Sequence, residues 1–468
     1  MFNKCLIAVT CLVAIIQLIG ASTSEERFLD VPLDHFDQQN RDTWRMVSSK
    51  EWNLLRNIKL NTLQRYYANN VSFQAGGPTF IYVGGDYEIG TYWIENGHMH
   101  DVGVELNASF FGIEMRFFGQ NKPTANVSVE NLRFLSTEQV LADMATIVDH
   151  IKRDNPELTN SKVIMVGTMF GGNLVSWFRA KYPQHVDGIW SSSSFVEARM
   201  NFREYLEGIG EDIVEFGSNA CYSRIRRAFG TMQTLIDGGR SDLIDGFFRL
   251  CTTLDASNKN EVARLFDAIA ESVTVGIVNG GYQYVDQICE DLTTNNNTND
   301  LIAFSEWFLI QHQSTGCFEM TFVELVDFLA EEQWNDFAAI TGRRQFFYLT
   351  CTEYGWFPTT DGAKQPFGNR VTVDYFIEMC ANIYGSWITE ESLARNVINT
   401  NGRLGGSRPT ITNALFTNGG MDPNRYINVI TNIADTVEAR VIPCKFFTLI
   451  IDICYESKSV CLYSSIWT

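Results

Sequence analysis

The stretch Gly167-Thr168-Met169-Phe170-Gly171-Gly172 has the form of a nucleophile turn without a nucleophile. The apolar run at 162–166 reads as a buried strand, and a helical pattern over 173–182 follows at once. A tight turn flanked by glycines must therefore join strand to helix. That is the setting of the Gly-x-Ser-x-Gly elbow, where small residues let the chain bend sharply enough to expose the central side chain. The central residue here is Met169, whose thioether has no proton to lose and cannot be activated for acyl transfer. The turn points to a hydrolase scaffold, and its apex argues against serine chemistry.

The elements around the turn are those of an α/β chain. Residues 78–83 form a strand pattern running into Gly84-Gly85-Asp86, and residues 110–115 form another. Ser136-x-x-Gln139 has the form of a capping box, after which Val140, Leu141, Met144, Ile147, Val148 and Ile151 recur at helical spacing. A further strand begins at Gly188, and one returns at 414–418, followed by a loop carrying Asp422. Strands alternating with helices imply a parallel sheet covered on its faces. Between 197 and 396 the pattern is mostly helical, with long runs at 222–235 and 261–273 and a polar loop at 293–299. The expected division is 1–21 signal peptide, 22–195 and 396–443 the two parts of an α/β domain, 196–395 an inserted helical cap, and 444–468 a divergent tail. Residues 46–64 and everything from Cys444 onward fit no clear pattern.

Composition narrows the class. In 468 residues, 45% hydrophobic and 19% charged content marks a folded chain with a sizeable core. A net charge of −19 argues against nucleic acid or an anionic membrane surface as partner. Lys4 followed by the apolar run 5–20 and Ala21 reads as a cleaved secretory signal, and no later run is long enough to span a bilayer. Export permits disulfides. Nine cysteines remain beyond the signal, six of them central: Cys221, Cys251, Cys289, Cys317, Cys351 and Cys380, which alone allow 15 pairings. Sequons at Asn70, Asn107, Asn126 and Asn296 fit a glycosylated surface. No ligand spacing calls for a metal, and no cofactor is expected.

Taken in order, the motifs identify a relative. They include Leu33-Asp34-His35-Phe36, Arg65-Tyr66-Tyr67, Gly84-Gly85-Asp86, Glu114-Met115-Arg116-Phe117-Phe118-Gly119 and Asn131-Leu132-Arg133-Phe134-Leu135-Ser136 with Glu138-Gln139. Further along come Gly171-Gly172, Trp177-Phe178-Arg179, Lys181-Tyr182-Pro183, Cys351-Thr352-Glu353-Tyr354-Gly355-Trp356, Gln365-Pro366-Phe367, Asn418-Gly419 and Asp422-Pro423. Over about residues 28–443 the chain resembles the family of lysosomal Pro-X carboxypeptidase, lysosomal dipeptidyl peptidase and thymus-specific serine protease. The resemblance implies an α/β-hydrolase fold interrupted by a helical cap that closes over the active site. It implies a secreted or lysosomal serine exopeptidase acting on peptides, proline-containing ones among them. It also implies the pairs Cys221–Cys289, Cys251–Cys317 and Cys351–Cys380.

Carried over by position, the nucleophile falls on Met169 and the triad acid on Asp422, with oxyanion donors at the N–H groups of Phe170 and the Gly85 loop. The family histidine should follow Val441-Ile442-Pro443, where this chain reads Cys444-Lys445-Phe446. Its histidines, His35, His98, His100, His150, His185 and His312, all precede Asp422, whereas the fold's triad order is nucleophile, acid, histidine. Thr168 is one step off the apex and points elsewhere. The serines at 191–194 read as polar chain at a strand end, His185 as a surface residue, and Asp422 as a loop-capping carboxylate. A secreted pseudopeptidase that binds peptides is the first reading. An active exopeptidase misrecorded at 46–64 and after Pro443 is the second, and a structural glycoprotein the third. Post-proline carboxypeptidase and dipeptidyl peptidase action both fit these residues, and so does a homodimer.

Overall fold

The computed structural model describes residues 24–37, 43–44, 64–312 and 316–443. The signal segment, the stretch at 46–63 and the tail from 444 lie outside the described residues.

Among the described residues the main sheet has eight strands: β1 Glu25–Leu29, β2 Gln64–Asn69, β3 Thr79–Val83, β4 Ser109–Ile113, β5 Val163–Thr168, β6 Gly188–Ser192, β7 Ala414–Gly419 and β8 Val437–Ile442. Their order is β1-β2-β4-β3-β5-β6-β7-β8. β2 runs antiparallel to both neighbours and every other pairing is parallel. This is the α/β-hydrolase fold. β3 and β5 are buried at every position, as continuous apolar strands covered on both faces must be. Ile81 sits in register with Phe111 on one side and Met165 on the other, so the elbow strand lies at the sheet's centre.

Two helices frame the elbow. α1 Thr137–Asp154 buries Val140, Leu141, Met144, Ile147, Val148 and Ile151, the residues whose spacing predicts it. Its capping box is only half formed. The Ser136 side chain accepts from the Gln139 N–H, but the Gln139 amide reaches Asp34 (2.6 Å) and the His35 N–H (3.0 Å), tying the N-terminal strand region to the helix instead. α2 Phe170–Lys181 follows the elbow directly.

Several residues that carry the resemblance are structural rivets. Buried Arg116 donates to Asp143 at 2.6 and 2.7 Å and to the carbonyls of Pro32, Leu33 and Phe134. His35 meets the same carboxylate at 2.7 Å. Arg65 donates to Glu114 at 2.6 Å, and the Ile89 and Gln120 N–H groups also reach Glu114. Burial nevertheless pushes the Glu114 carboxyl up to about 7 against the pull of Arg65. Glu353 accepts from the Thr137 N–H and hydroxyl, anchoring the start of α1 to the segment after Leu349.

Between β6 and β7 the chain is mostly helical, including α3 Arg203–Asp212, α4 Asn219–Asp237, α5 Lys259–Thr294, α6 Asp300–Gln311, α7 Val373–Tyr384 and α8 Glu390–Leu404. The expected run at 261–273 is one part of α5, which is broken at Gly281 (φ 63°, ψ −153°). The expected loop at 293–299 is shorter, because α5 continues to Thr294 and Asn299 already caps α6. Disulfides join Cys221 to Cys289, Cys251 to Cys317 and Cys351 to Cys380. Among the described residues no helix is long and apolar enough to cross a membrane.

Candidate active site

The elbow is present in full backbone detail. Met169 sits at φ 51°, ψ −122°, a conformation that costs a non-glycine residue about 1–3 kcal/mol and persists only where its surroundings impose it. The surroundings do so through glycines. A Cβ on Gly167 would lie 2.3 Å from the Gly171 carbonyl oxygen, and one on Gly171 would lie 2.3 Å from the Val83 oxygen. No side chain fits at either place, so strand, turn and helix close to backbone contact. The Met169 N–H is held by the Ser192 carbonyl (3.0 Å), and the Met169 carbonyl accepts from Asn173 N–H (3.1 Å), opening the helix.

The first-turn N–H groups of α2 precede the helical ladder and face outward from it. The Gly85 loop lies against them: a Cβ on Gly85 would come within 3.1 Å of the Gly171 nitrogen and 3.4 Å of the Phe170 Cβ. Phe170 and Gly85, expected to supply oxyanion donors, are thus brought together at the apex. The Phe170 ring is the hub of an aromatic cluster with Trp177, Phe195, Phe346, Tyr354 and Trp356, which fastens the elbow helix to the segment 346–356.

Asp422 follows β7 and caps the short 3-10 turn Pro423–Ile427, its carboxylate accepting from Asn424 N–H at 2.9 Å. The Ser193 N–H is held by the Thr417 carbonyl (2.7 Å), so the ends of β5, β6 and β7 are stitched side by side. In an open parallel sheet this carboxyl-end edge is where ligands bind. Asp422 is fully buried. Burial pushes its carboxyl up to about 7, opposed by the Asn424 N–H, the Ser193 hydroxyl and Arg425.

Thr168, Ser191 and Ser194 are otherwise engaged, while the buried Ser192 hydroxyl has no hydrogen-bond partner. The Thr168 hydroxyl is buried 3.1 Å from the Tyr82 hydroxyl, itself 2.7 Å from that of Tyr87. Ser191 bonds the Gly172 carbonyl and the Ser194 hydroxyl, and Ser194 bonds Asn428. These serines fasten the loop after β6. His185 is half-buried near the surface, 3.3 Å from exposed Asp149 and packed on Phe178 and Tyr182. His150 pairs with Asp154, His100 lies 3.8 Å from Asp101, His98 abuts Trp190, and His312 packs at a tilt against Phe308.

Sequence reasoning missed Tyr82, Tyr87 and Asp212. Tyr82 lies in an apolar strand and Tyr87 in a loop between Asp86 and Glu88, contexts that signal only strand and loop. Asp212 shares a face of α3 with Gly208 and Ile209, a helical spacing that could have marked it as inward-facing. Among the described residues the one close trio of metal-capable side chains is Cys251, Cys317 and Glu319, and its two cysteines are bonded to each other.

The model of the serine carboxypeptidase S28 family matches residues 31–448. The chain belongs to the serine carboxypeptidase S28 family. This S28 chain is 25% identical to the thymus-specific serine protease of Mus musculus, over 90% of its own length and 81% of the mouse protein. It is 27% identical to the lysosomal Pro-X carboxypeptidase of Bos taurus, over 83% of its own length and 78% of the bovine protein. To the Homo sapiens lysosomal Pro-X carboxypeptidase it is 26% identical, over 80% and 76% respectively. The family is named for serine chemistry, and the residue at the elbow apex of this member is a methionine.

Proposed function

We propose that this S28 member is a secreted or lysosomal pseudopeptidase that binds peptides, proline-containing ones included, without cutting them. The observation that carries the reading is Met169 at the strained apex. It occupies the nucleophile position with an atom that can neither lose a proton nor form an acyl intermediate. Asp422 at the triad-acid position has no histidine to orient, and its partners are a backbone N–H and a serine hydroxyl. The surviving donors at Phe170 and the Gly85 loop leave a carbonyl-binding site. Such donors alone leave on the order of 10³–10⁴-fold acceleration over water, too little for useful proteolysis. The helical stretch at 196–395 supports a cap that encloses the bound peptide. Asn296 is exposed, and Asn70, Asn107 and Asn126 are partly so, which agrees with glycosylation on a secretory route.

The test combines an activity-based fluorophosphonate probe with peptide binding on the full chain. The expected result is no labelling, no cleavage of proline-containing peptides and saturable binding of the same peptides. Labelling of the unaltered protein would sink the reading.

A further inference from the structure

The carboxyl left behind at the triad-acid position has a neighbour of the same kind. Asp212, the last residue of α3, is 2% exposed, and Asp422 is 0% exposed. Each has one carboxylate oxygen, Oδ2, that is buried and without a hydrogen-bond partner. Asp212 ends α3 and Asp422 caps the turn Pro423–Ile427, so both belong to the seam where the helix rests on that turn. The seam is tight: a Cβ on Gly208 would lie 2.8 Å from the Tyr426 ring and 3.6 Å from Pro423 Cα.

The charges around the pair are few and mostly acidic. From the turn come Arg425 and the Tyr426 hydroxyl, from α3 itself Glu211 and the Tyr205 phenol, and from the segment after α3 Glu215. Glu271 of α5 faces Tyr205. Among the described residues Arg425 is the one cation acting on both carboxyls, and its N–H groups go elsewhere. One reaches the Asp422 carbonyl (3.2 Å), another the Tyr426 hydroxyl (2.8 Å), and the guanidinium lies 3.7 Å from Glu211. Lys364 is likewise taken by Glu211.

We propose that Asp212 and Asp422 form a proton-operated latch, which holds α3 on the turn Pro423–Ile427 while both carboxyls are protonated and releases it as they ionise. This rests on the reading that no histidine pairs with Asp422, since an imidazolium there would keep the carboxylate charged and the seam closed at neutral pH. Burial holds the Asp212 carboxyl at about 8, opposed by Arg425 and reinforced by Glu215, Glu211 and Asp422. On release each carboxyl returns to water and gives up its proton to solvent. Opening therefore becomes easier as pH rises through the range in which the closed form is still protonated.

Amide hydrogen exchange of the full chain tests this at α3 and at 423–427, read as protection factors so that the intrinsic pH dependence of exchange is removed. Between pH 5 and 8, protection in both segments should fall by on the order of tenfold per pH unit for each carboxyl that deprotonates on opening. Asp212→Asn and Asp422→Asn, made separately, should each lower that slope, because an amide cannot ionise. Flat protection in the unaltered chain, or variants that keep its slope, would overturn the latch. Flat protection with fluorophosphonate labelling would overturn the non-cutting reading as well, whereas flat protection without labelling overturns the latch alone.

Discussion

At the scale of single residues, the methionine at the apex holds the backbone of a nucleophile without its reactivity. The strain at Met169 is imposed by Gly167 and Gly171, not by any task of its own side chain. Gly171→Ala should therefore destabilise the fold by about 1–3 kcal/mol, since its methyl would meet the Val83 carbonyl and the strand cannot retreat from the sheet's centre. Denaturant unfolding measures it, and a neutral result would mean the elbow is looser than the glycine packing requires. Met169→Ser returns a hydroxyl to the apex yet supplies no base, so fluorophosphonate labelling should stay at background. The elbow was legible in the sequence because its glycines are contiguous with a strand and a helix. Asp212 beside Asp422 was not, because nothing local ties a helix end to a turn so far along the chain.

At the scale of elements, the motifs that carry the resemblance mostly weld segments together. Arg116→Ala would strip Asp143 of its main partner and free three carbonyls, and it should cost about 3–5 kcal/mol, the range for leaving a buried charge uncompensated. A thermal shift in the variant checks this, with far-UV circular dichroism confirming that the fold is retained. The Cys351–Cys380 disulfide closes a 29-residue separation, and replacing both cysteines by serine should lower stability by about 2–4 kcal/mol. Strands β3 and β5 and helix α1 were readable because burial on both faces, or on one face, writes its period into the sequence. The disulfide pairing was not: spacing left many combinations open, and only the resemblance chose among them. The break in α5 at Gly281 did leave a signal, the Gly280-Gly281 pair, which the helical spacing on either side outweighed.

At the scale of the whole molecule, several buried carboxyls are raised together. Asp212 stands at about 8, Glu114 and Asp422 at about 7, and Asp267 at about 6, burial being the largest cause in each. In the unfolded chain such groups titrate near 4. Between those limits the folded state binds more protons than the unfolded one, so stability is fully present below about pH 4 for these groups and falls as pH rises toward 8. A net charge of −19 adds self-repulsion in the same direction. The melting temperature should accordingly be higher at pH 5 than at pH 8, a comparison that calorimetry makes directly. A flat or rising trend would show that these carboxyls are ionised in the folded protein.

The aromatic cluster behind the elbow has an optical consequence. Trp177 and Trp356 both stack on Tyr354, at centroid separations of 5.4 and 4.2 Å, although the three rings come from two distant stretches of the chain. Chromophores held so close in one fixed chiral arrangement couple their transitions, and the near-ultraviolet circular dichroism of the native protein should carry that signature. The Trp177–Tyr354 part of that signature exists only while the segment 346–356 stays seated on the elbow helix. It gives a label-free readout of whether the two halves of the molecule are assembled.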